Sequence, residues 1–176
     1  MLEFEGLHFE ESISAEEIQK EVARVAEEIN RDYAGKEPLF VCVLNGAFMY
    51  AADLLKNISL PCEITFVRLK SYEGTETTGE VNMLIPLQVD VEGRDVIVIE
   101  DIVDTGITMH AFKKILQDKG AKSVALTSFF YKPSSLRFED VKPDYYGMSI
   151  PPAFIIGYGL DINEKARNLG AIYTKV

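Results

Sequence analysis

The chain has 176 residues, 47% hydrophobic and 26% charged, a globular composition that excludes a disordered chain, a collagen and a coiled-coil rod. No apolar run approaches the ~20 residues that span a bilayer, and the acidic start MLEFEGLHFEESIS lacks the basic and apolar regions of a signal peptide, so a cytoplasmic location without membrane contact is expected. With 18 basic against 28 acidic residues the net charge is −10, and residues 1–37 carry most of the excess, which argues against nucleic acid as a partner.

A helix is predicted over 14–33. Ser14 and Glu17 form an S-x-x-E capping box, Ile13 can staple onto Ile18, and Ile18, Val22, Val25, Ala26, Ile29 and Tyr33 recur at helical spacing. LFVCVL (39–44) is a continuous apolar run, as expected of a strand covered on both faces. Asn45-Gly46 breaks it, and 47–56 reads as a helix. CEITFVRL (62–69) is a strand. The stretch 70–80 is rich in Gly, Thr and Glu without periodicity and reads as a long loop, a kind that in compact domains is usually functional or mobile. MLIPL (83–87) is a strand interrupted by Pro86, which suits a sheet edge or a bulge. DVIVIE (95–100) is apolar and β-branched; a short acidic loop, a helix over 107–119 closed by Gly120, and a strand at 123–131 follow. Beyond a loop at 132–143 come YYGMSI, Pro151-Pro152, a strand at 153–159 and a final strand, GAIYT.

Strands separated by helices of about 10–15 residues argue for an α/β fold with a single doubly wound, mostly parallel sheet. Ligands of such sheets bind beyond the carboxyl ends of the strands, which directs attention to Asn45-Gly46, to the loop after Glu100 and to the loop after Tyr131. Cys42 and Cys62 form no CxxC, and only His8 and His110 are present, so reduced thiols and no structural zinc are expected.

The most informative stretch is DVIVIEDIVDTGITMHAF (95–112). A buried strand ends in Glu100 and Asp101, carboxylates that are costly there unless paired, hydrated or metal-bound. Adjacent carboxylates also suit the vicinal hydroxyls of a ribose, because each oxygen accepts a hydrogen bond. The turn 104–108 then offers two hydroxyls and a glycine at a helix N-terminus, where free N–H groups and the helix dipole favour a phosphate. The local chemistry therefore reads as a ribose followed by its phosphate. Asp104 or Thr105 alone could be no more than a helix cap, but the whole run exceeds what capping needs. There is no GxxxxGK[ST], and Gly157 and Gly159 open no dinucleotide-binding helix.

VIVIEDIVDTGITM (96–109) resembles the 5-phosphoribosyl-1-pyrophosphate (PRPP) signature of type I phosphoribosyltransferases. The resemblance extends over nearly the whole chain to the hypoxanthine-guanine branch. VCVLNGAFMYAADLL (41–55) is similar to its pyrophosphate-loop segment, RLKSY (68–72) with the loop ending at Thr78-Gly79 to its catalytic loop, and 141–173 to its purine-recognition region. It implies one phosphoribosyltransferase domain over 1–176, with a core at about 36–140 and a small hood from 141–176 together with the N-terminal segment. It further implies salvage of hypoxanthine, with guanine, in which the purine displaces Mg²⁺-bound pyrophosphate from PRPP. A nucleotide-sensing regulator on the same fold is the alternative, against which stand the acidic balance and the lack of a basic face.

Carried over by motif, the resemblance implies that Glu100 and Asp101 hold the ribose hydroxyls directly or through a metal-bound water. Asp104 faces purine N7 as general acid/base, and Thr105, Gly106, Ile107 and Thr108 wrap the 5′-phosphate. Ser71 and Tyr72 close over the reacting centre and exclude water. Asn45, Gly46 and Arg167 meet pyrophosphate. Lys142 donates to the purine O6, Phe154 stacks on the base, and Ile155 contacts it through its backbone. Asp161 lies at the purine site and joins Glu100 and Asp101 as a Mg²⁺ ligand. Where relatives often have a lysine, this chain has Asn45, which keeps tolerance of unusual backbone angles but not the charge. Relatives form dimers or tetramers, so a homodimer or homotetramer is expected.

Overall fold

The computed structural model describes residues 1–71 and 81–176, with the side chain of Ser71 outside that set. The acidic N-terminus folds as a hairpin, β1 (Leu2–Phe4) and β2 (Leu7–Ile13), turning at Glu5-Gly6 with positive φ at both residues, as a tight two-residue hairpin turn requires. Ser14 caps α1 (Ala15–Asp32) through the reciprocal Glu17 box, and Ile18, Val22, Val25, Ala26 and Ile29 form its buried stripe. Then follow β3 (Leu39–Leu44), α2 (Phe48–Lys56), β4 (Glu63–Ser71), β5 (Val81–Ile85), β6 (Asp95–Val103), α3 (Ile107–Asp118), β7 (Ser123–Tyr131), β8 (Tyr145–Ser149), β9 (Ile155–Ile156) and β10 (Ile172–Lys175).

The large sheet has the order β5-β4-β3-β6-β7-β8. Its strands are parallel except β5, at one edge, which stops just before Pro86. One face packs Phe40, Cys42, Ile97 and Ile99 against α1 and α2. The other packs Val41, Val67, Val96 and Val98 with Met109, Phe112 and Leu116 of α3. Alternation along buried strands sends successive residues to opposite covered faces, which is why these strands read as unbroken apolar runs. From β3 the chain moves outward to β4, and from β6 it moves the other way to β7 and β8. The switch in winding direction therefore lies between β3 and β6, where such sheets leave a crevice.

A second, antiparallel sheet, β1-β2-β10-β9, joins the two ends of the chain around Phe9 and Ile156. The hood expected from 141–176 and the N-terminal segment differs in its bounds: Tyr145–Ser149 pairs with β7 in the large sheet, and α1 packs on that sheet too. Strand β6 runs past the expected end at 100 to Val103, so Glu100 and Asp101 lie within it. The strand expected at 153–159 shrinks to two residues, because Gly157, Tyr158 and Gly159 all have positive φ and turn the chain.

Candidate active site

Strands β3 and β6 pair only as far as Cys42 and Ile99, whereas β6 stays with β7 up to Val103 and Tyr131. In that parting, at the carboxyl edge, a cavity of about 270 Å³ opens. Leu44 lines it from β3, Gly46 from the turn that follows, Leu69 from β4, and the continuous run from Glu100 to Met109 from β6 and the start of α3.

Glu100 and Asp101 form its acidic floor. Glu100 Oε1 accepts from the Asp101 amide (3.1 Å), and Asp101 Oδ1 from the Ile102 amide (2.7 Å). Burial, then the neighbouring Asp101 charge, pushes the Glu100 carboxyl well above the usual carboxylate range. Burial raises Asp101 as well, opposed by hydrogen bonds and the Arg167 charge. Two carboxyls held this way have a strong affinity for a proton, a cation or hydroxyl donors. Because the native pKa of Glu100 exceeds the unfolded one, folding stability falls as pH rises from the ordinary Glu range toward the raised native value. Glu100→Gln is therefore expected to raise the thermal midpoint at pH 8, by about 2–4 °C per kcal/mol recovered. The gain should fade toward pH 4, and thermal unfolding across pH 4–8 checks it.

The turn 104–108 rises from this floor. Gly106, at φ +78°, is the N-cap residue of α3, and no side chain caps the helix. Asp104 is thus not a helix cap; its carboxylate is half exposed, 3.6 Å from the Lys132 ammonium. Thr105 Oγ1 accepts weakly from the Ile107 amide (3.5 Å). Thr105 and Thr108 both line the cavity beside the free first turn of α3, where amides without intrahelical partners suit an anion.

Across the cavity, the Asn45-Gly46 turn follows a cis Leu44–Asn45 peptide. Gly46 has no room for a side chain: a Cβ there would lie 1.6 Å from Asp101 Oδ2. Gly159 in turn abuts Gly46, since its Cβ would meet the Gly46 carbonyl oxygen at 1.9 Å. This contact docks the C-terminal turn onto the site and brings Arg167 with it. Arg167 donates to Gly159 O (2.8 Å) and pairs with Asp161 and Glu164, both at 3.0 Å. Asp161 Oδ2 accepts from the Glu164 amide (2.8 Å), capping a turn and no helix. Among the described residues no group of three or more His, Cys, Asp or Glu side chains could hold a metal. Asp161 stands apart from Glu100 and Asp101, beside Arg167.

Lys142 lies away from this site. It is exposed and precedes β8, whose first residue, Tyr145, is level with Thr127. That is four residues, roughly 13 Å at ~3.3 Å per residue, short of the carboxyl end of β7 at Tyr131. Lys132 is the lysine at the rim. It directly follows β7, its amide donates to Val103 O (2.9 Å), and its side chain is only 14% exposed. Sequence reading missed it although the signal was present, a lysine at the carboxyl end of a buried parallel strand. Phe154 is 48% exposed, tilted on Phe9 at 6.1 Å between ring centres. Ile155 is half-buried and pairs with Thr174. Ser71 closes β4 in register with Val81; Tyr72 and the other residues through 80 lie outside the described residues.

The profile of the family described as phosphoribosyl transferase domain matches residues 11–163. The chain is 41% identical over 158 residues to the hypoxanthine-guanine phosphoribosyltransferase of Bacillus subtilis, covering 89% of this chain and 87% of that protein. It is 42% identical over 157 residues to the protein of the same name from Streptococcus thermophilus, with the same coverage. Among solved structures, a hypoxanthine-guanine phosphoribosyltransferase of Bacillus anthracis superposes with a TM-score of 0.89 at 36% identity, over 97% of this chain and 98% of that one. A hypoxanthine phosphoribosyltransferase of Staphylococcus aureus superposes with a TM-score of 0.90 at 35% identity, over 95% of this chain and 91% of that one.

Proposed function

The chain belongs to the phosphoribosyltransferases, and from that premise we infer that it salvages purines, transferring the 5-phosphoribosyl group of PRPP to hypoxanthine and guanine to give IMP and GMP with release of pyrophosphate. The observation that carries this is the cavity at the switch in sheet winding, with a two-carboxylate floor and the 104–108 turn as its wall. We read residues 1–176 as one phosphoribosyltransferase domain.

In this reading Glu100 and Asp101 accept from the ribose hydroxyls, and Thr105 to Thr108 bind the 5′-phosphate with amides and hydroxyls. Asn45, Gly46 and Arg167 receive the pyrophosphate; the guanidinium offers a fork of donors suited to phosphate. Asp104 handles the N7 proton of the base as its nitrogen attacks C1′, and Ser71 with Tyr72 covers the reacting centre. Phe154 stacks on the purine and Ile155 offers backbone groups to it. Lys132 takes the role expected of Lys142, donating to the exocyclic O6, because it is the shielded cation beside Asp104.

The donor set suits Mg²⁺. Two hard carboxylates, Glu100 and Asp101, would hold the ion, with Asp161 toward the pyrophosphate end, and water and substrate oxygens would fill its remaining positions. When bound, it neutralises charge on the leaving pyrophosphate. No helix among the described residues is long and apolar enough to cross a membrane, and we assign the protein to the cytoplasm. The exposed Ile64, Phe66, Leu84 and Ile85 of the β4–β5 edge, with Phe48 nearby in sequence to β3, support a homodimer or homotetramer, since apolar surface of this kind favours burial between copies.

Steady-state assays with PRPP, Mg²⁺ and each of hypoxanthine, guanine and adenine test the reading. IMP and GMP are expected and AMP is not; no nucleotide from any base overturns it. In the same assays Lys132→Ala should raise the KM for hypoxanthine by about 10–100-fold, the loss of a charge-assisted hydrogen bond of about 1.5–3 kcal/mol. Lys142→Ala should match wild type; the reverse pattern would return the O6 contact to Lys142.

A further inference from the structure

The wall behind the 104–108 turn is the segment 136–141. The Arg137 amide donates to Thr105 O (3.0 Å). Val141 Cγ2 and Leu136 Cδ1 fill the space beside Gly106, where a Cβ would meet them at 2.7 and 3.1 Å. In a planar trans peptide the C=O and the following N–H point in opposite directions. Tying Thr105 C=O to the segment therefore turns the Gly106 N–H away from it, toward the cavity.

His110, in the first turn of α3, fastens this segment to the helix. Its Nδ1 lies 2.9 Å from both carboxylate oxygens of Asp140, and its ring stacks on Phe138 at 4.3 Å and 15°. Facing an acceptor-only carboxylate, Nδ1 carries the proton and donates. Lys113, one turn on, donates to the Asp140 carbonyl oxygen. The His110 amide also donates to Gly106 O (2.8 Å). One residue thus holds the turn through its backbone and the supporting wall through its ring. Val141 packs with Met109 and Phe112 independently of this contact, so the segment stays folded without it and loses only its setting.

We propose that His110, acting through Asp140 and Phe138, is a positioning residue that orients the Gly106 amide toward the 5′-phosphate. The proposal rests on the assignment of 104–108 as the phosphate site and adds the residue that aims it. A donor misaimed by a few tenths of an ångström weakens binding of the phosphate without touching the base or the attacking atoms.

Calorimetric titration of GMP and of guanosine, which lacks the phosphate, tests this. For His110→Ala the Kd of GMP is expected to rise about 3–10-fold while that of guanosine stays put; kcat should hold within about two-fold as the KM for PRPP rises. His110→Asn, whose amide nitrogen falls near the Nδ1 position, should recover most of the affinity. Asp140→Ala should match His110→Ala, and the double variant should be no worse than either alone. Equal weakening of GMP and guanosine, or no change in either, overturns the positioning role. Wild-type protein that fails to prefer GMP over guanosine removes the phosphate site, and the proposal with it.

Discussion

Asp104→Asn is expected to lower kcat by about 10²–10⁴-fold, the usual contribution of a positioned general acid/base, while the KM for PRPP stays within a few-fold of wild type. The substitution keeps shape and removes the ability to exchange a proton. It should not disturb the fold, because Gly106 and not Asp104 stands at the N-cap of α3 and no side chain caps that helix. Among the described residues the half-exposed carboxylate pairs with the Lys132 ammonium at 3.6 Å, an interaction of little worth to stability at that exposure. A thermal midpoint unchanged within about 2 °C beside a collapsed kcat is the expected pair of results. Unaltered turnover would remove Asp104 from the chemistry.

Gly46→Ala is expected to cost at least about 10²-fold in kcat/KM for PRPP, the order of loss that follows an ångström-scale misplacement at a reacting site. The new methyl would sit 1.6 Å from Asp101 Oδ2, so either the Asn45-Gly46 turn or the Asp101 carboxylate must move. Movement of the turn also loosens Gly159, which rests against the Gly46 carbonyl, and with it the Arg167 cluster. Overpacking of this kind adds about 1–3 kcal/mol of destabilisation. A protein with wild-type kcat/KM would mean that this close approach is not needed for function.

Much of the frame was legible because buried strands and capped helices leave local signals. The apolar runs at 39–44 and 123–131 correspond to β3 and β7, and the Ser14–Glu17 box opens α1. The N-terminal hairpin was not legible. Phe9 alone of β2 is fully buried, and Glu10, Glu11 and Ser12 are exposed in succession, so the alternation of 7–10 breaks off after four residues, too short a signal for a strand. The continuation of β6 through Glu100 and Asp101 was hidden for a related reason. Propensity reads adjacent carboxylates as a loop, and only the parting of β3 from β6 makes room for them inside a strand. The lysine of the site turned on topology: Lys132 and Lys142 flank the same loop, and parallel pairing of β8 leaves the first at the carboxyl edge and the second near an amino end. The fit of Gly46 between Asp101 and Gly159 joins residues up to 113 apart in the chain, a contact that no local pattern encodes.

A structure of the protein with GMP bound tests the central assignment most directly. The account predicts the phosphate within hydrogen-bond distance of the amides and hydroxyls of 105–108, the ribose over Glu100 and Asp101, and the purine between Phe154 and Lys132. A phosphate seated at Arg167 and Gly46 with 105–108 empty, or the nucleotide outside this cavity altogether, would contradict it.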